Sequence, residues 1–328
     1  MNKLKQVIIR GKKLKLPAFF PDATYGHIIS LDSKDIVKTG VSGVVVNTYH
    51  LFKHNLVEKI EKIGIHKYMK FPGIVISDSG GFQVFSLIHK SKENGKIDDN
   101  KAVFYLDGRK IELSPEKAIE IQVKLGSDII MCLDDCRHVD DKEMKESVER
   151  TIKWAERCKK EFLKLTSGMK EKPLLFGIVQ GGENKKLRKL CAEKLIEIGF
   201  DGYAFGGWPI NKGKLLKGIL NYTAKLLPDD KIKYAMGVGK PKDIIECWKM
   251  GYNLFDCVIP TRDARHKRLF VYSKGKIIEV NVKKKNFQVR GIKRLYNLFK
   301  SDRKEAERQA TMINLKTYSR LMKLCRKV

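Results

Sequence analysis

The sequence predicts an α/β protein folded as a (β/α)8 barrel, with hairpin insertions and a basic helical segment towards its C-terminal end. Two observations carry this. Eight short apolar runs recur along the 328 residues, continuous rather than alternating, the pattern of strands buried on both faces in a parallel sheet. Segments of helical period lie between most of them, so strand and helix alternate eight times, the count of a TIM barrel.

The runs are 17–20, 43–47, 73–78, 128–134, 174–180, 202–207, 234–239 and 254–262. The last carries Asp256 inside an apolar strand and stops at Pro260, before Arg262, Arg265 and Arg268. Among the helices, Ser114-Pro115-Glu116 reads as an N-cap, a proline at the first helical position and an acid in the first turn, and the helix stops at Gly126. The stretch 141–165 is long, charged and amphipathic; 183–198 ends at Gly199 and 242–250 at Gly251. Two hairpins interrupt the alternation. Residues 103–106 and 109–113 flank the turn pair Asp107-Gly108, and 269–272 and 276–280 flank Ser273-Lys274-Gly275. A final helix, about 302–327, has Ala306, Ala310, Ile313, Tyr318 and Leu321 among its apolar residues and is expected to close the barrel. The expected organisation is a catalytic barrel over 1–272, completed by a basic ribbon and helix over 273–328.

The formal net charge is +29, from 67 Lys+Arg against 38 Asp+Glu, and points to a polyanionic partner. Genome-wide lysine bias is the bland alternative, but from Arg262 onward 21 basic residues face 5 acids, so the charge is concentrated there. Seven cysteines form no CxxC pair, which fits reduced thiols in a cytoplasm, and no apolar run approaches the ~18 residues of a membrane span. A soluble cytoplasmic protein is expected.

In such a barrel the chemistry sits at the C-terminal ends of the strands. There the sequence offers Asn47, Asp78, Asp134, Asp135, Gln180, Gly206, Gly207, Met236, Gly237 and Asp256, with no Ser-His-Asp order and no metal set. Two carboxylates facing one pocket are the apparatus of glycosyl chemistry: one attacks the anomeric carbon, the other moves a proton to or from the departing group. Asp134 and Gln180 could read the edge of a planar base, Gly206-Gly207 would let backbone amides approach it, and Phe82 and Met236 could cover its faces. Asp135 reads as solvated, His50 as a hydrogen-bonded core residue, and Cys132 and Cys257 as core.

The stretch 78–87, Asp78-Ser79-Gly80-Gly81-Phe82-Gln83-Val84-Phe85-Ser86-Leu87, resembles the signature of the tRNA-guanine transglycosylase family, the base-exchange enzymes of queuosine and archaeosine synthesis. So do 47–51, 113–117, 177–182, 236–239 and 255–262, in order and in register over about 15–272. The resemblance implies a pentosyltransferase that replaces guanine in tRNA by a 7-deazaguanine derivative. Asp256 would be the nucleophile at C1′ of the ribose, forming a covalent intermediate, and Asp78 the general acid/base. Asp134, Gln180, Gly206, Gly207 and Gly237 would line the purine, with Phe82 and Met236 on its faces. Cys136 is similar to the residue of bacterial enzymes that take the aminomethyl precursor. Thr261, Arg262, Arg265 and Arg268 would hold the nucleic acid.

The departures matter too. The family's C-x-C-x2-C…H zinc site has no counterpart: 283–296 holds no cysteine or histidine, and Ile313 stands where the ligand histidine precedes Asn314-Leu315. No cofactor or metal is therefore expected. Gly206-Gly207-Trp208-Pro209-Ile210-Asn211-Lys212 replaces a smaller, more flexible loop, with Trp208 either a lid or a stacking platform. Asp263 and Lys267 stand where Asn and Gly are usual. Two rivals remain: the same chemistry on DNA, or a non-catalytic nucleic-acid-binding partner subunit with a decayed site. A homodimer is left open.

Overall fold

The computed structural model describes residues 4–90, 94–106, 108–139, 141–284 and 291–327. Each apolar run overlaps a strand, two of which extend beyond their runs, to Pro21 in the first and back to Ile232 in the seventh: Ala18–Pro21, Gly43–Asn47, Ile74–Asp78, Ile129–Met131, Leu174–Val179, Gly202–Phe205, Ile232–Ala235 and Leu254–Cys257. Neighbouring strands pair in parallel, and the eighth lies beside the first with Asp256 opposite Phe20. A parallel bridge between Asp22 and Val45 closes the first onto the second, so the sheet is a barrel.

Phe20, Met131, Phe176, Tyr234 and Leu254 belong to one buried cluster of the barrel strands. Two glycines make room for the rings: a Cβ at Gly43 would lie 2.3 Å from Phe20, and one at Gly202 2.5 Å from Phe176. An antiparallel hairpin, Gln6–Ile9 with Lys12–Lys15, adds Ile9 and Leu14 to the same cluster. Sequence reading missed it because lysines surround its few apolar side chains.

The helices, in order, are α1 (Ser33–Thr39), α2 (Thr48–Lys53), α3 (Val57–Ile63), α4 (Ile65–Met69), α5 (Gly81–Lys90), α6 (Pro115–Leu125), α7 (Met144–Thr166), α8 (Lys185–Ile198), α9 (Lys217–Leu226), α10 (Pro241–Lys249), α11 (Ile259–Arg265), α12 (Ile292–Ser301) and α13 (Arg303–Cys325). The expected signals start and stop them. Ser114 Oγ accepts the Lys117 amide at 3.2 Å, Pro115 opens α6, and Gly126 ends it in the left-handed region. α7 begins later than periodicity suggests because Asp141 Oδ1 accepts the Glu143 amide at 2.8 Å, holding a turn before it.

Both expected hairpins are present, Ala102–Leu106 with Arg109–Leu113 and Arg268–Ser273 with Lys276–Asn281. Asp107 of the first turn lies outside the described residues. A third strand, Gly95–Ile97, joins the first hairpin, and a two-residue ribbon pairs Ile210–Asn211 with Lys214–Leu215. Between the basic hairpin and α13 lies a further helix not expected from the sequence. It is α12, whose Ile292, Leu295 and Phe299 recur at helical spacing and pack with Val280, Val282, Ala306 and Ala310.

α13 spans the junction of the last and first units. Tyr318 donates its hydroxyl to the Gly239 carbonyl at 2.6 Å, its ring sits 4.6 Å from that of Phe19, and Arg308 grips Asp35 of α1 through two bonds of 2.5 Å. Among the described residues no helix is long and apolar enough to cross a membrane.

Candidate active site

The strand tips enclose a cavity of about 620 Å³. Ten residues expected at the site are on its wall: Asn47, Asp78, Phe82, Asp134, Cys136, Gly206, Gly207, Met236, Gly237 and Asp256. Gln180 stands one layer behind. It is fully buried and acts through Asp134, donating Nε2 to its Oδ2 at 2.5 Å, while its own Oε1 has no hydrogen-bond partner among the described residues.

Asp78 ends the third strand, where Ser79-Gly80 turns into α5. Asn47 Nδ2 donates to Asp78 Oδ2 at 2.7 Å and to Gln83 Oε1 at 2.9 Å, which ties the carboxylate to the neighbouring strand tip. Burial, and next the charge of Asp256, raise the Asp78 pKa to about 6 against the Ser79 and Gly80 amides and Asn47. Asp256 lies across the cavity on the eighth strand, with Oδ1 accepting the Gly237 amide at 2.8 Å. Burial raises it to about 6, opposed by the Gly237 amide and the Tyr234 hydroxyl, with Asp22 pushing further upward. Burial also raises Asp134, to about 7, with Asp78 and Asp135 adding to the effect against Gln180. The Cys136 thiol is held far up by burial and by Asp134. Three perturbed acids in one cleft, none salt-bridged among the described residues, is the electrostatic pattern of a proton-handling site.

Above them Phe82 and Trp208, each 39% exposed, meet edge to face with centroids 5.5 Å apart, and the His138 ring lies 5.7 Å from Trp208. The cavity thus has an aromatic rim on one side and Met236 on its wall.

Several readings need correction. Asp135 is not solvated; it is fully buried, ion-paired with Arg137 Nε at 3.2 Å and Arg150 Nη1 at 2.5 Å, and its amide donates to Thr151. His50 is not a hydrogen-bonded core residue: its ring lines the cavity edge-on to Tyr25 and Tyr49, and burial lowers its pKa. Thr261 is buried and spends its hydroxyl on the Val258 carbonyl, 3.0 Å away, so it stiffens the start of α11 and offers no surface to a nucleic acid. The sequence also gave no notice of Asp22, Gln83 or Tyr234 on the wall. Asp22 lies just past the first apolar run, which was a usable signal; Tyr234 looks like any other core aromatic of a strand.

Beyond the eighth strand, α11 and the basic hairpin form a second concavity of about 330 Å³, lined by Arg262, His266, Arg268, Asn281 and Lys283. Asp263 orients its arginines, with Oδ1 accepting from Arg268 Nη2 at 2.9 Å and lying 3.7 Å from Arg262 Nε. Arg268 Nε is buried with no partner among the described residues. Arg265 is half-buried and does not line this hollow.

The residues here do not fit a zinc site. Among the described residues no group of three or more His, Cys, Asp or Glu could hold a metal ion, and 285–290 lie outside them. In place of a ligand beside Ile313, Asn314 knits α13 to α11 and the hairpin. It donates to the Pro260 carbonyl at 2.8 Å and accepts the Phe270 amide at 2.7 Å.

The family model described as queuine tRNA-ribosyltransferase matches residues 3–328. The queuine tRNA-ribosyltransferase of Actinobacillus pleuropneumoniae serotype 3 is 40% identical over 328 residues, covering 94% of this chain and 84% of that protein. That of Baumannia cicadellinicola is 45% identical over 264 residues, covering 79% and 69%, and that of a Thermoanaerobacter species 42% over 273 residues, covering 81% and 70%.

Proposed function

The chain belongs to the queuine tRNA-ribosyltransferase family, enzymes of the pentosyltransferase class, and from that premise we propose that it exchanges a guanine in tRNA for a 7-deazaguanine base through a covalent aspartyl-ribosyl intermediate. The observation that carries this reading is the pair of carboxyls, Asp78 and Asp256, facing one cavity at the strand tips, with the charge of Asp256 helping to raise the proton affinity of Asp78.

With guanosine turned out of the stack into the cavity, the Asp256 carboxylate attacks C1′, the C1′–N9 bond breaks and an ester bond to the ribose forms. The Asp78 carboxylic acid gives its proton to the departing guanine and becomes a carboxylate. It then takes the N9 proton of the incoming base, whose nitrogen attacks C1′ and releases Asp256. Atoms and charge balance, and no step calls on a cofactor. The Gly237 amide and Tyr234 hydroxyl aim the nucleophile. Asp134, Gln180 and the Gly207 amide hold the polar edge of the purine, Cys136 lines the same wall, and Phe82 and Met236 cover the ring. Arg262 and Arg268 sit in the basic hollow beside the eighth strand, where the flanking phosphates would lie, with Arg265 on the same helix.

Incubation with tRNA carrying radiolabelled guanine tests this. Label should leave the RNA on addition of a 7-deazaguanine base, and a protein–RNA adduct should survive denaturing electrophoresis. Retention of all label in tRNA, or release from duplex DNA alone, would sink the proposal.

A further inference from the structure

Arg188 of α8 is fully buried and has no carboxylate partner among the described residues. Removing a guanidinium from water without an opposite charge is unfavourable, and an apolar side chain of similar size would avoid the penalty. Burial depresses its pKa only to about 10, so it stays charged at neutral pH. Each of the three guanidinium nitrogens donates one hydrogen bond to a backbone carbonyl. Nε donates to the Gly182 carbonyl at 2.9 Å, Nη1 to Val179 at 2.5 Å and Nη2 to Gly206 at 3.0 Å, and the guanidinium carbon lies 3.9 Å from the centre of the Phe205 ring.

Two of those acceptors precede residues of the base pocket, Gln180 behind its wall and Gly207 on it. Val179 precedes Gln180 and Gly206 precedes Gly207. In a planar peptide the carbonyl and the following N–H point in opposite directions. Fixing the Val179 carbonyl turns the Gln180 amide onto Cys191 Sγ, 3.3 Å away, and sets where the Gln180 side chain starts. Fixing the Gly206 carbonyl turns the Gly207 amide away from Arg188, to the side of the cavity where the Cys136 thiol feels it. Gly206 N also donates to the Val179 carbonyl at 2.9 Å, so one guanidinium ties the tips of the fifth and sixth strands together. The first turn of α8 packs closely on the same tip: a Cβ at Gly181 would meet the backbone nitrogen of Arg188 at 2.7 Å.

We infer that Arg188 is the positioning residue of the base pocket, a buried clamp that holds the Val179 and Gly206 carbonyls so that Gln180 fixes Asp134 from behind while the Gly207 amide keeps a fixed direction on the wall that meets the incoming base. The inference rests on the base-exchange reading above and adds to it a group that touches no substrate.

Arg188→Lys keeps the charge but cannot span three carbonyls, and Arg188→Met removes both. Binding of a 7-deazaguanine base is measured by calorimetry, apart from exchange, with thermal melting as the check on folding. Arg188→Lys should weaken base binding at least about tenfold, the worth of one charge-assisted hydrogen bond. Base KM should rise in parallel while the KM for tRNA stays within about twofold, and Arg188→Met should lose more. Should both variants fail to fold, Phe205→Leu takes away the ring beneath the guanidinium and should shift base affinity in the same direction by about threefold. Unchanged base affinity in a folded Arg188→Lys, or in Phe205→Leu when neither Arg188 variant folds, overturns the inference. Wild-type protein that binds the base yet never exchanges it fails the proposed reaction instead and leaves this comparison intact.

Discussion

Asp128 and Asp256 are aspartates at opposite ends of the same barrel, and their surroundings pull them in opposite directions. Asp128 begins the run that leads into the fourth strand. It is fully buried, Lys12 donates to it at 3.0 Å, His66 Nε2 lies at 3.0 Å and the Val75 amide donates at 2.9 Å. Burial alone would raise its pKa, but His66, the Val75 amide and Lys12 together hold it below the ordinary carboxylate value. Asp256, at the end of the eighth strand, has one backbone amide and one phenol to stabilise its charge and is pushed up to about 6. The difference teaches where this fold invests in stability and where it tolerates frustration: a carboxylate held by cations at the N-terminal end of the strands, and catalytic-end carboxyls such as Asp256 held only by neutral donors.

The contrast can be broken at either end. The largest effect is expected from Asp256→Ala, which should reduce guanine exchange by about four orders of magnitude or more and abolish the denaturation-resistant adduct, with little loss in melting temperature. Residual exchange near the wild-type rate would mean that the nucleophile lies elsewhere.

Asp128→Asn should do the reverse. Leaving Lys12 and His66 without their carboxylate should destabilise the fold by roughly 3–5 kcal/mol in urea titrations while kcat of the folded fraction holds. Because the folded pKa of Asp128 is depressed, its contribution is present above the unfolded value near 4 and is lost as pH falls through the folded one.

Asp134→Asn sharpens the comparison, since amide and acid can both accept the Gln180 bond. The folded pKa of Asp134, about 7, lies above its ordinary 3.8, so the stability this acid contributes is full below pH 4 and is lost as pH rises through 7. The variant should match wild type at pH 4 and exceed it at pH 8, by on the order of 2–4 kcal/mol, while base binding weakens. Equal melting curves at pH 8 would show that Asp134 is not a frustrated acid. In the wild-type enzyme kcat/KM should fall as pH drops through about 6, where Asp256 takes a proton and ceases to be a nucleophile.

The smallest effect is at the basic hollow. Lys283→Ala should raise the KM for tRNA a few-fold and lower the salt dependence of binding by roughly 0.7–0.9 in slope for one lost phosphate contact, whereas Lys225→Ala on α9 should change neither. Equal salt slopes for the two variants would place the RNA elsewhere.

Much of the barrel was legible because strands buried on both faces write themselves as continuous apolar runs, and because helix ends such as Ser114-Pro115 and Gly126 carry local chemistry. The N-terminal hairpin and α12 were not, since each is short and set among lysines whose charge masks a two- or three-residue apolar stripe. At the site, Asp78 and Asp256 stood out as carboxylates in apolar context. Thr261 misled because a resemblance carries over a residue's type and not its burial, and here the hydroxyl is spent on the Val258 carbonyl. Arg188 was hidden as one more basic residue in a helix of basic residues, and only burial distinguishes it from Lys186 or Lys189.

By itself the sequence determined the order of strands and helices, and with it which residues arrive at the C-terminal rim, because strand and helix periods are local properties of the chain. Tertiary structure alone decided which of those residues are paired, which are orphaned and which carry a shifted proton affinity. Those properties depend on distances and solvent exclusion between segments far apart in sequence: Asn47 on Asp78, Gln180 on Asp134, Arg188 on Gly206.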